Sequence, residues 1–168
     1  FLKSVAGDKE VVVRYEESGD HQRYYRPEGM TDRKLRFGEY LDGLIADPPD
    51  RRFYLTEYAV GEVAPQLVDD IDWSGYMDVA HAVFFLGRNC FSPPHYHGDH
   101  EAMLCQVKGT KVVKMYPPEQ TSCFYAYPWH SPLLNFARVD ERDPDLQRFP
   151  RFKKAKGATV ELREGEAM

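Results

Sequence analysis

"FSPPHYHGDHEAMLCQVKGTKVVKMYPP" spans residues 91–118, and its first half crowds His95, His97, Asp99, His100 and Glu101 into seven positions between two apolar flanks. On an extended strand alternate side chains share a face, so His95 and His97 point the same way. Asp99 keeps that parity if the strand runs on, although Gly98-Asp99 also reads as a turn. Glu101 opens the next apolar run and faces back across that turn. Two imidazoles and a carboxylate on one face are the donor set that a divalent transition metal takes while keeping open positions. A merely solvated turn is the alternative. Against it, Pro93-Pro94 stiffens the approach and both flanks are apolar, which sets the cluster at the mouth of a core.

Outward from this stretch the chain reads as serial strands. "HAVFFLG" (81–87), "SPPHYH" (92–97), "AMLCQVKG" (102–109) and "KVVKMYPP" (111–118) are β candidates, and "KGTK" suggests a hairpin between the last two. Upstream, "EVVVRYEE" (10–17) and "RRFYLTEYAV" (51–60) read as strands. "TDRKLRFGEYLDGLIAD" (31–47) has helical apolar spacing with Thr31 or Asp32 as N-cap, and "DPPD" stops it. "PQLVDDI" (65–71) reads as a helical turn. Residues 119–150 loosen into an aromatic, proline-bearing loop. "ATVELREGEAM" gives a strand, a Glu164-Gly165-Glu166 turn and the start of another strand. A helix-bearing front end followed by antiparallel strands implies an α+β, mostly β protein built on a small barrel or double-sheet jelly roll. A barrel ending there leaves an open edge, so further strands are expected beyond Met168.

Composition sets the outer bounds. One domain over 1–168 suits a chain of 168 residues, with 42% apolar and 29% charged residues. Eleven Tyr and ten Phe suit a β-rich fold with a lined cavity, Trp129 among the lining. A net charge of −5 with no basic stripe disfavours a nucleic-acid partner, and no apolar run is long enough to span a membrane. Cys90, Cys105 and Cys123 lack close-paired spacing and are expected to be reduced, mostly buried thiols of a cytoplasmic protein. His21, His81 and His130 belong to other elements and are expected to be structural or exposed.

The motif in residues 91–118 resembles the metal strand of the JmjC-type cupins, the group that includes the asparaginyl hydroxylase acting on hypoxia-inducible factor. The shared pattern is Ser or Thr, two residues, His, a short loop, an apolar stretch ending in Gln, Gly-x-Lys, and Pro-Pro. "CFYAYPWHSP" and "DPDLQRFPRFKKAKG" are similar to the family's aromatic loop. The resemblance implies a double-stranded β-helix core, Fe(II), and 2-oxoglutarate with O₂ as cosubstrates. It assigns His95 as the first iron ligand and Lys111 as the cation for the far carboxylate of 2-oxoglutarate. Ser92 and Tyr54 become hydroxyl partners of that carboxylate, whose charge an inward ammonium would match.

Two departures shape the site. The family's Asp falls at His97, so the carboxylate is Glu101, with Asp99 as the alternative. His95, His97 and Glu101 at this spacing also resemble the first motif of the broader cupins. The family's last histidine is expected beyond Met168. The leading expectation is an oxygenase that hydroxylates a peptide, amino acid or small molecule using 2-oxoglutarate. The rivals are a cupin metalloenzyme without 2-oxoglutarate, a dioxygenase or isomerase, and a non-catalytic cupin-fold binding module. Neither the substrate nor the oligomeric state is legible from the chain.

Overall fold

The computed structural model describes the chain apart from residues 21, 22, 24, 28–30, 71, 73, 74 and 77–80. It forms two compact units, Phe1–Ser92 and Pro93–Met168. Among the described residues no helix is long and apolar enough to cross a membrane.

The Phe1–Ser92 unit is built on a four-stranded antiparallel sheet. Its strands are β1 (Glu10–Tyr15), β2 (Thr31–Arg36), β3 (Phe53–Ala59) and β4 (Val83–Leu86), in the order β2-β1-β3-β4. "EVVVRY" shows why one face is buried: Val11 and Val13 point into the core and Val12 outward, the alternation of a half-buried strand. Helices α1 (Leu2–Ala6) and α2 (Phe37–Ile45) add Ala6, Phe37 and Tyr40 to that core, which also holds Leu55, Val63 and Ala64. A one-turn helix, α3 (Val60–Val63), and a 3₁₀ turn at Pro65–Asp70 follow β3.

The helix expected over 31–47 is half wrong. Residues Thr31–Arg36 pair with β1 along their whole length, from Glu10↔Arg36 to Tyr15↔Thr31, and the helix starts only at Phe37. Five of these six residues are polar, and β2 lies at the edge of the sheet, where charges protect a strand from further pairing. Lys34 meets Glu10 at 3.0 Å and Asp32 meets Arg14 at 3.1 Å. Cross-strand partners therefore outweigh the local capping signal of Thr31 and Asp32. The cap forms four to five residues later, at Arg36, whose amide the Glu39 carboxylate accepts at 3.3 Å. The helix ends at Ile45, ahead of Pro48-Pro49, as the sequence implies.

In the Pro93–Met168 unit β5 (Lys111–Met115) pairs with β6 (Ala158–Leu162), from Lys111↔Leu162 to Met115↔Ala158. The hairpin expected between 102–109 and 111–118 does not form. Leu104 and Met168 exchange both backbone hydrogen bonds, at 2.8 and 3.0 Å, and the Gln106 amide donates to Glu166 at 2.9 Å. Residues 104–115 thus run in one direction against 158–168. Between the Cys105↔Ala167 bridge and the Lys111↔Leu162 pair, the first strand holds one extra residue, a bulge. Gly109 (φ +76°) and Gly165 (φ +86°) supply the left-handed backbone on the two sides of the kink. "KGTK" has turn chemistry, but the turn bends a ribbon instead of reversing it.

"SPPHYH" is likewise not a strand. Pro93 and Pro94 have no amide to donate, and pairing is reduced to one bridge, His95↔Phe136, flanked by Ala137 N–H to Pro94 O at 2.8 Å. Residues 119–150 form the expected loop, irregular between 3₁₀ turns at Pro118–Cys123 and Pro150–Lys154. It is pinned by an aromatic cluster in which Tyr116 and Phe124 meet edge to face at 4.6 Å. None of the three cysteines forms a disulfide, but only Cys123 is buried, while Cys90 and Cys105 are half-buried.

Candidate functional site

In the Pro93–Met168 unit the bridge at His95 fixes the start of the histidine cluster. The ring of His95 stacks on Phe136 at 4.7 Å and meets the ring of His97 at 5.1 Å; His97 in turn meets His100 at 4.6 Å. The shared side that strand alternation implies for His95 and His97 is therefore present, with His100 added to it. His95 Nδ1 lies 2.9 Å from the Pro93 carbonyl. A carbonyl can only accept, so Nδ1 carries the proton and Nε2 keeps its lone pair, the tautomer that ligates metals.

The two candidate carboxylates differ. Asp99 Oδ1 is 2.7 Å from His100 Nδ1 and is thereby engaged with its neighbour. Glu101 is exposed and lies outside the ring contacts. Among the described residues, no three His, Cys, Asp or Glu side chains stand arranged around one point. The donor types still suit a divalent metal, with two imidazoles in contact and one tautomer already fixed. Completing a set needs a carboxylate to swing in.

Lys111 opens β5 and is half-buried. It shares the inner face of the ribbon with Val113, opposite Leu162 and Val160, whereas Val112 is 59% exposed on the outer face. A solvent-facing hairpin lysine would show the opposite pattern. His81, His130 and Trp129 are exposed, so the lining role expected of Trp129 is not met within its unit: the residue is 86% exposed. His21 lies outside the described residues.

In the Phe1–Ser92 unit, Tyr54 and Ser92 are brought together as a hydroxyl cluster. Tyr54 is buried on β3 and hydrogen-bonds Ser92, and the Tyr25 hydroxyl lies 3.5 Å from Ser92 Oγ. Burial pushes the phenols of Tyr54 and Tyr25 above their usual range, against the smaller effect of the Ser92 hydrogen bond. Both stay protonated donors at neutral pH. Gly87 makes room for the ring: a Cβ there would come 2.9 Å from Tyr54 Cδ2 and overlap Cys90 Sγ. Sequence reading finds Tyr54 and Ser92 through the resemblance but misses Tyr25, which sits in a polar run with no periodic signal.

The chain matches the cupin-like domain over residues 1–168 and belongs to that family, among the JmjC-type cupins whose metal strand it resembles. It is 27% identical over 190 residues to JmjC domain-containing protein D of Dictyostelium discoideum, covering all of this chain and 41% of that protein. It is 28% identical over 178 residues to lysine-specific demethylase 8 of Danio rerio, covering 100% of this chain and 42% of the relative. Lysine-specific demethylase JMJ30 of Arabidopsis thaliana is 26% identical over 175 residues, with 39% of its length covered. The chain thus spans about two fifths of the length of these relatives. The class uses Fe(II) and 2-oxoglutarate, and its β-rich, antiparallel character agrees with the sheets described above.

Proposed function

We propose that residues 1–168 are a cupin domain, with a double-stranded β-helix core, of an Fe(II)- and 2-oxoglutarate-dependent oxygenase acting on a peptide side chain. Hydroxylation is the direct outcome, and on an N-methyl group the same oxidation leads to demethylation. The observation that carries this reading is His95, whose Nδ1 proton is held by the Pro93 carbonyl, which leaves Nε2 with its lone pair, next to the ring of His97. Bound at these residues, Fe(II) with 2-oxoglutarate and O₂ supplies oxidation of an unactivated C–H bond. His95 and His97 hold the metal. Glu101 serves as the carboxylate, because Asp99 is engaged by His100. Lys111 supplies the charge for the far carboxylate of 2-oxoglutarate from the inner face of the ribbon. Tyr54 and Ser92 are assigned to the same carboxylate by the resemblance, as protonated hydroxyl donors.

Calorimetric titration with Mn(II), a redox-quiet stand-in for iron, tests the metal site. One ion is expected per chain, and His95→Ala/His97→Ala should abolish its binding. Undiminished binding in that double variant sinks the proposal. Glu101→Ala should weaken binding at least about tenfold, or about 1.4 kcal/mol, with Asp99→Ala nearly neutral. The reverse result moves the pair to His97 and Asp99. Lys111→Ala should weaken 2-oxoglutarate binding by about 3–5 kcal/mol, since it removes one partner of a buried charge pair.

One observation favours a second reading. His97 occupies the family's Asp position, and three imidazoles touch in sequence, which suits a histidine-rich cupin metalloenzyme that takes no 2-oxoglutarate. Such an enzyme has no use for Lys111, so the Lys111→Ala titration also separates the two.

A further inference from the structure

"RFPRFKKAK" (148–156) is a basic run that the net charge of −5 hides, against the expectation of none: it carries Arg148, Arg151, Lys153, Lys154 and Lys156 and no acidic residue. All five cations are exposed, and among the described residues none forms an ion pair. Their mutual repulsion is tolerated because the backbone beneath them is firmly held. Phe152 meets Phe124 at 5.5 Å and Phe149 meets Tyr125 at 5.1 Å. The Arg151 guanidinium lies 4.4 Å over the Tyr125 ring, and the Tyr125 hydroxyl accepts the Arg151 amide at 2.9 Å. Gln120 clamps Lys156 from both sides, accepting its amide at 2.6 Å and donating to its carbonyl at 3.1 Å.

Next to this run lies an open trough lined by Met115, Tyr116, Pro117, Lys156, Gly157 and Ala158. Its floor depends on Gly157, where a Cβ would come 2.7 Å from the Tyr116 ring. The trough is mostly apolar and offers room for a side chain, with Lys156 on its rim. Exposed cations on a held backbone that leads into an apolar trough complement a ligand that carries several carboxylates and one apolar group. A long polyanion fits less well. Beyond these five cations the chain is more negative than its net charge, and would repel the rest of a nucleic acid.

We propose that residues 148–158, with the Met115–Pro117 segment, dock a short acidic peptide segment of a partner protein, its carboxylates on the cations and one apolar side chain in the trough. None of these residues takes part in the oxygenase reading, so the two stand or fall separately. The test is fluorescence anisotropy with a labelled Glu-rich peptide containing one central Leu, its Glu→Gln counterpart, and an oligothymidine of similar length. The acidic peptide should bind with salt-sensitive affinity, and the other two markedly more weakly. K153E/K154E/K156E should lower that affinity at least about tenfold, with K153Q/K154Q giving a smaller loss and both variants retaining the wild-type melting profile and Mn(II) binding. Should the triple variant misfold, the K153Q/K154Q pair decides. Equal affinity in the folded variants, oligothymidine binding as tightly as the peptide, or no salt-sensitive peptide binding overturns the proposal.

Discussion

Tyr54 and His95 carry two parts of one proposed chemistry, and their surroundings differ in kind. Tyr54 is packed inside the Phe1–Ser92 unit, where burial keeps its phenol protonated and Gly87 leaves room for its ring. His95 is exposed and owes its orientation to one backbone carbonyl and one stacked phenylalanine. A buried hydroxyl is positioned by everything around it, so its geometry is set by the core. An exposed imidazole is positioned locally, by a proline-stiffened bridge, and keeps freedom to respond to a ligand. The contrast teaches that hydrogen-bond donors can be preorganised by packing while metal ligands are left to be gathered by the metal itself.

The sharpest way to break this contrast is to weaken one core and watch the other region. Leu55 is fully buried on β3, and Leu55→Ala should cost about 2–5 kcal/mol in denaturant unfolding. Val112→Ala, on the exposed face of the ribbon, should stay within about 0.5 kcal/mol. Equal losses would mean that the exposed face of the ribbon is covered in solution.

A smaller effect is expected from Tyr40→Phe. The Tyr40 hydroxyl donates to the Leu86 carbonyl and accepts the Leu55 amide at 3.2 Å, tying α2 to β3 and β4. Its removal leaves two backbone groups unsatisfied, at a cost of about 1–3 kcal/mol. Hydrogen exchange should then quicken at the Leu55 amide while the amides of Val112 and Val113 keep their rates. A uniform change at both places would contradict the local tie.

The smallest effect concerns pH. Hydrogen bonds from the Arg52 side chain hold the Asp50 carboxyl below its usual range. A depressed folded-state pKa gives stability that is present above the unfolded value, near 3.9, and fades as pH falls through the folded one. Because Arg52 is half exposed, Asp50→Asn should cost no more than about 1 kcal/mol at pH 7. The gap between wild type and variant should close in melts taken progressively below about pH 4. A gap that persists in acid would assign the loss to packing instead of charge.

The sequence was legible where local pattern and long-range pairing agree. β1, β3, β4, β5 and β6 all lie within stretches whose apolar patterning marks them as strands. The histidine cluster was visible because imidazoles two residues apart share a side whether or not a long strand forms. What failed did so for non-local reasons. Thr31–Arg36 carries cap chemistry, yet its pairing with β1 is decided sixteen or more residues away. "KGTK" carries hairpin chemistry, yet 104–115 finds its partner at 158–168, a pairing invisible in any short window. Tyr25 joins Ser92 across 67 positions with no periodic signal at all. The family pattern supplied Lys111, whose inward placement depends on its pairing with β6 and on the bulge before it.

The bulge between Cys105 and Lys111 has a consequence for how this region tolerates change. Side chains of a strand alternate, so their facing is a phase, and one extra residue resets it. Lys111 lies on the inner face because the kink advances the chain by one step relative to its partner strand. Surface turns usually absorb insertions and deletions freely. This one acts as a counter: gain or loss of a single residue between 107 and 110 would turn Lys111 outward and Val112 inward, although every amino acid in the motif were kept.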